Sequence, residues 1–193
     1  MKNVMLKNVK IEGDDSGNVG GVTEWSYGGK IENCSVWGSV SHSGINSYAG
    51  GAVGYQANGF LTGCSSSATV NAGNIAGGVA GGTNSATLTG CYATGSVSGS
   101  GSGPVDVGGV TGINACGTMT ACYWGSNPDT GIGDKQAGTT GGTEQVTDGN
   151  RRNAVTQMNA ALQSAGSEWR YELTGAFPAL KKQQTVGRKK FRP

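Results

Sequence analysis

Charged side chains are scarce in this chain. Asp, Glu, Lys and Arg together make up 13% of 193 residues, with one histidine, which argues against a site built from many converging acids and bases. Aromatic residues are only 7%, and they are not interleaved with basic ones as a single-strand binding groove requires, so no nucleic-acid partner is expected. No apolar run is long enough to cross a bilayer. No basic leader with an apolar stretch follows Met1, so neither a membrane span nor a secretion signal is expected within these residues. Leu, Ile and Phe are too few for a thick conventional core. The core must be thin or built from small side chains.

Glycine is what the chain has instead, at 37 of 193 positions. A Gly/Ser/Thr-rich composition suggests disorder, but the regular placement of Val, Ile, Leu and Cys argues for a repeat fold. The stretch GGVAGGTNSATLTGCYATGSVS, residues 77–98, is the clearest copy of a unit that begins at Gly20-Gly21, Gly50-Gly51, Gly77-Gly78 and Gly108-Gly109. Each copy places a cysteine at the same distance beyond its first glycine: Cys34, Cys64, Cys91 and Cys122. Three residues before each cysteine stands Ile31, Leu61, Leu88 or Met119, and six residues after it Val40, Val70 or Val97. The fourth copy breaks this rule, with Pro128 in place of the valine.

Three short apolar anchors per unit of roughly thirty residues are what one rung of a β-solenoid needs. A single rung cannot bury its own interior face. Rungs stacked about 4.8 Å apart pair every strand above and below and align equivalent residues in columns. The expected fold is therefore all-β, a parallel and right-handed β-solenoid of about four and a half rungs. The four cysteines form one interior column, where a thiol acts as a compact apolar group, beside a column of Ile31, Leu61, Leu88 and Met119. The paired glycines are expected at a corner, for positive φ or for close backbone approach.

The units GGVTEWSYGGKIENCSVWGSVS, GGAVGYQANGFLTGCSSSATVN, GGVAGGTNSATLTGCYATGSVS and GGVTGINACGTMTACYW resemble GLUG-motif repeats. That pattern runs Gly-Gly-Leu-Val-Gly, a polar turn, Gly-x-Ile, then Asn-Cys-Tyr-Ala-Thr-Gly-x-Val. The resemblance covers about residues 18–125. It implies a bacterial, secreted or surface-exposed chain such as an adhesin or the non-catalytic part of an immunoglobulin-cleaving peptidase, and a motif without catalytic residues. Two positions depart from the pattern. The turn asparagine stands only at Asn114, with Ser26, Gln56 and Thr83 elsewhere, and Glu24 replaces the last glycine of the first Gly-Gly-Leu-Val-Gly run.

The chain divides into a partial N-terminal rung (1–19, with Val4, Leu6, Val9 and Ile11), four repeats (20–128), a C-terminal capping segment (129–180) and a basic tail (181–193). Gly131 to Gly142 reads as a loop. Beyond it, Val155, Met158, Ala161 and Leu162 recur at helical spacing, started by Asp148 or Asn150 and stopped by Gly166. Trp169, Tyr171 and Leu173 alternate as in a strand. An open solenoid end exposes strand edge and core, so this segment is expected to cover it through Met158, Leu162, Trp169, Phe177 and Leu180. Residues 1–180 carry eight basic and twelve acidic side chains and the tail six basic ones. The tail reads as solvated, with attachment to an anionic surface, polymer or nucleic acid as the alternative.

Five cysteines raise the question of zinc, but the nearest pair, Cys116 and Cys122, lacks the close spacing of a structural site. No metal or cofactor is expected. Stacked Cα atoms lie within disulfide range, but parallel Cβ vectors stay wider than the about 3.8 Å that a disulfide prefers, which favours free buried thiols. Cys116 shares a turn position with Gly28, Asn58 and Ser85 and is the expected exposed thiol. From Gly20 to Tyr123 the titratable groups other than Cys and Tyr are Glu24, Lys30, Glu32, His42 and Asp106, too few for an enzyme acting on acidic polysaccharide. His42 reads as a solvated loop residue. The turns lack the aspartates of calcium-binding rolls.

The expected function is a non-catalytic extracellular scaffold, a module of a bacterial adhesin or surface protein. Its partners are an unknown surface ligand, other copies of itself, or upstream repeats of a longer chain. One alternative is a filament subunit that stacks through open solenoid ends. A smaller one is ice binding by outward threonines at Thr62, Thr87, Thr89, Thr118 and Thr120.

Overall fold

A computed structural model describes the chain except at residues 15, 16, 46, 103, 126, 127, 176 and 184–193; most of the basic tail lies outside the described residues. The architecture is a parallel β-solenoid of about four turns with one short helix near the C-terminus. A partial turn, β1 (Met5–Gly13), comes first. The first rung holds β2 (Val19–Gly20), β3 (Thr23–Tyr27), β4 (Lys30–Glu32) and β5 (Ser35–His42). The second holds β6 (Tyr48–Gly50), β7 (Val53–Ala57), β8 (Phe60–Thr62), β9 (Ser65–Ser66) and β10 (Thr69–Ala72). The third holds β11 (Ile75–Gly77), β12 (Ala80–Asn84), β13 (Thr87–Thr89), β14 (Tyr92–Ala93) and β15 (Val97–Gly99). The fourth holds β16 (Asp106–Gly108), β17 (Thr111–Thr120) and β18 (Tyr123–Trp124), and a fifth level follows in β19 (Ile132–Gly141) and β20 (Glu144–Gln145).

Repeated spacing has become vertical register. Ile31 lies on Leu61, Leu61 on Leu88 and Leu88 on Met119. Ile11, Val40, Val70 and Val97 form another column, which places the partial rung where the sequence put it. Cys34, Cys64, Cys91 and Cys122 are fully buried and all five cysteines are free. The Cys64 and Cys91 thiols each donate to a carbonyl one level below, Ile31 O and Leu61 O, at 3.4 Å. Ionisation is opposed at Cys34, Cys64 and Cys91. The contact with Cys64 and then burial push the Cys34 thiol up. For Cys64 the Cys34 contact pulls down, but the Cys91 contact and burial outweigh it. For Cys91 the Cys122 contact and burial raise the value against the pull of Cys64.

The paired glycines serve close approach, not positive φ. Gly20, Gly50, Gly77 and Gly108 stack in register, and none of the paired glycines is left-handed. A Cβ on Gly77 would sit 1.8 Å from Ala80 O, and one on Gly109 2.2 Å from the Trp124 ring. Left-handed residues occupy two other corners. One column is Gly28, Asn58, Ser85 and Cys116; the second is Asn3, Asn33, Gly63, Gly90, Ala121 and Gly142. Inside the first corner runs a buried polar column of Gln56, Thr83 and Asn114. Thr83 Oγ1 donates to Asn114 Oδ1 at 2.9 Å, and Asn114 Nδ2 to Gly117 O at 3.3 Å. One level lower Gln56 Nε2 donates to Ser26 O at 3.4 Å, so all three side chains hydrogen-bond at this corner.

Two expectations about the C-terminal segment are corrected. Gly131 to Gly142 is not a loop: Thr111 pairs with Ile132, Thr118 with Thr139 and Tyr123 with Glu144, so the segment forms a fifth level. Its exposed side chains need no apolar alternation, because the edges of β17 and β18 supply the pattern through the backbone. The segment after it does not cover the solenoid end. Helix α1 (Arg151–Ser164) and the antiparallel hairpin β21 (Trp169–Leu173) and β22 (Pro178–Lys182) pack along the flank. There Met158, Leu162, Trp169, Tyr171 and Leu180 form a second core with Tyr92, Ala121, Tyr123 and Val146.

The reason is local. Gly63 and Gly90 leave a bare groove that Leu162 fills; a Cβ at Gly90 would come within 2.8 Å of Leu162. One level lower the corner is Asn33, whose Oδ1 accepts from Ser167 Oγ at 2.9 Å. Phe177, expected in the cap core, is 42% exposed, because β22 begins one residue later at Pro178. The end itself is closed by Trp124, which is 7% exposed and belongs to the main core. Its Nε1 donates to Pro128 O at 2.8 Å.

Candidate functional site

The columns assigned from sequence are structural and sealed. What remains outward is a row of rings that the sequence reading did not single out. Trp25 pairs with Tyr55 across β3 and β7, and the two rings stack with centroids 4.8 Å apart at 28°. Tyr48, on β6, tilts against Tyr55 at 4.8 Å and 58°. The next residue in the column is Gly82, where a Cβ would fall 2.5 Å from the Tyr48 ring and 2.9 Å from that of Tyr55. Gly82 therefore makes room for the rings. Trp25 is 54% exposed and nearby Tyr27, on the same strand, 74%.

A sequence signal for this row exists. Trp25 and Tyr55 both stand five residues past the first glycine of their units, so the register that stacks the cysteines stacks them too. Among the described residues no strand pairs beyond β3 in its sheet, which leaves the outer side of the Trp25 ring without a neighbouring strand. Burial raises the Tyr48 hydroxyl above its ordinary value, with the Tyr55 hydroxyl and Asp106 adding to the effect. Desolvation and then Asp134 raise the Asp106 carboxyl.

Other sequence candidates fall as follows. Cys116 is exposed, as expected, and left-handed with φ 58°. His42 is not solvated: it ends β5, is 3% exposed, and its Nδ1 accepts from Gly44 N at 2.9 Å. An accepting Nδ1 fixes the neutral ring with its proton on Nε2, and Nε2 is buried without a partner. Two residues after the inward Val40, His42 has the parity of an interior position. The threonines form two ranks. Thr87, Thr118 and Thr139 run above Phe60, and Thr62, Thr89 and Thr120 lie beside them. Lys30 and Phe60 continue the first rank downward, and Thr62 is buried.

No family model, curated protein or solved structure matches the chain.

Proposed function

We propose that the chain is a non-catalytic extracellular scaffold, a module of a bacterial adhesin or surface protein of the kind its GLUG-like units suggest, and that it makes contact through the Trp25 row. The carrying observation is the ring stack itself: in a chain with few aromatics, three of them are aligned and braced on one face of a rigid stack. Rigid aromatic groups supply contact area at low entropic cost. Four of the five thiols are sealed in the core, an arrangement suited to an oxidising medium.

The stacking alternative meets an obstacle at the N-terminal edge. Gly54, Gly81, Gly112 and Gly133 lie close against the level below, and a Cβ at Gly54 would meet Glu24 O at 2.4 Å and Asn18 Cβ at 2.8 Å. Glu24 holds the same place in the first rung, so a further rung in register on β2 and β3 would collide with it. The interrupted threonine ranks weigh against ice binding.

Beads coated with the purified chain provide the test. Retention on host-cell matrix or on the producing cells is expected to fall at least tenfold in Trp25→Ala/Tyr27→Ala, with an unchanged melting curve. Wild-type retention no better than that of bare beads, or equal retention of the variant, would reject the reading.

A further inference from the structure

The flank hairpin and the solenoid enclose a cleft of about 290 Å³, near the lower end of the range for small-molecule sites. Trp37 of β5 and Phe177, just before β22, stand on its walls, and Tyr92 of β14 lines it from within. Ser67, Thr94 and Thr174 add hydroxyls, two of which already pair, Ser67 Oγ with Thr94 Oγ1 at 2.5 Å. Among the described residues no Asp, Glu, Lys, Arg or His lines the cleft. The lining is aromatic and hydroxylic, with an aliphatic stretch at Pro178, Ala179 and Leu180.

Tyr92 is the group that calls for an occupant. The residue is 1% exposed and its hydroxyl has no hydrogen-bond partner. A buried polar group left unpaired is costly. Beside it Gly125 lets the Phe177 ring approach: a Cβ there would fall 2.7 Å from that ring and 3.0 Å from the Tyr92 hydroxyl. Phe177 itself stays 42% exposed.

A ligand that fits must be uncharged, present C–H groups to flat rings, and offer a hydroxyl to a buried phenol. We propose that this cleft binds a neutral sugar ring, with its apolar face on Trp37 or Phe177 and one hydroxyl bonded to Tyr92 Oη. The proposal does not depend on the Trp25 row, which lies on a different sheet.

Amide and indole NMR shifts of the intact chain are to be followed while methyl glucoside, methyl galactoside, methyl mannoside and N-acetylglucosamine are added, with sorbitol as an acyclic control. At least one ring sugar is expected to saturate with a Kd of roughly 0.1–10 mM, shifting the Trp37 indole and the Thr94 and Phe177 amides. Tyr92→Phe, which keeps the ring, is expected to weaken it about fivefold with the melting temperature held, and Trp37→Ala tenfold or more. The proposal is overturned by an absence of saturation across the set, by equal shifts from sorbitol, or by unchanged affinity in both variants. Binding here with no bead retention would leave this site standing and reject the Trp25 reading; the reverse would do the opposite.

Discussion

The two ends of the solenoid are finished differently. At the N-terminal end β1 covers β5 and an isolated bridge joins Lys2 to Glu32, while the outer edges of β2 and β3 stay unpaired among the described residues. The C-terminal end carries a whole extra strand along β17 and a tryptophan over the core. One end is guarded by a charge on the edge, the other by backbone pairing plus an apolar plug. Either device manages an edge that would otherwise pair with another chain.

The largest expected effect comes from moving the first device into the stack. Gly81→Glu puts the Glu24 side chain where Gly54 O, Ala49 N and Tyr48 Cβ all lie within 2.8 Å. Backbone cannot yield there, so a loss of more than about 4 kcal/mol is expected, enough to abolish the cooperative melt. At the edge, Glu24→Gly should change stability by less than about 1 kcal/mol. Circular dichroism melts of both proteins decide it; a folded Gly81→Glu protein would remove the steric account of the edge.

Next comes the plug. Trp124→Ala removes a ring packed on Gly109 and Gly131 and is expected to cost about 3–5 kcal/mol in urea unfolding. Ile11→Ala, at the half-buried N-terminal end, should cost about 1–2 kcal/mol. Equal losses would mean that the two ends are closed to the same degree.

What the sequence disclosed follows the same division. Columns were legible because Cys34, Cys64, Cys91 and Cys122 hold one spacing within their units, and identical spacing in a parallel stack means identical height. Ile132 to Gly141 carries neither the glycine pair nor the cysteine, since a terminal level has solvent on one side and is ordered by hydrogen bonds to β17. Helical periodicity in Met158 and Leu162 announced a buried face but not its partner; that was set by the missing side chains at Gly63 and Gly90. Trp25 and Tyr55 were visible as a column, yet only the open edge beyond β3 makes them a surface.

Alkaline titration separates the core from the ends more gently. The Cys64 and Cys91 values are raised in the fold, so the stability tied to their protons is complete below the ordinary thiol value of about 8.5 and declines as pH rises above it, because the unfolded chain releases protons that the folded chain keeps. Each such thiol should cost about 1.4 kcal/mol per pH unit in that range. Urea midpoints at pH 8, 9 and 10 should fall progressively, and less steeply in Cys64→Ala/Cys91→Ala once its lower starting stability is allowed for. A flat profile would mean that the column is wet.

The smallest effect belongs to Cys116, the thiol at the corner. It takes a left-handed conformation that Asn58 and Gly28 occupy in other rungs, and a side chain other than Gly or Asn is strained there. Cys116→Asn should therefore raise stability slightly, by about 0.5 kcal/mol, and Cys116→Ser should leave it within that margin. Native labelling with a thiol reagent should modify one cysteine per chain, at Cys116, and five after unfolding. A second site reacting at the Cys116 rate would place an opening in the shaft, and Cys34 is the one to map first, because it is the lowest of the four and only the partial rung lies beneath it.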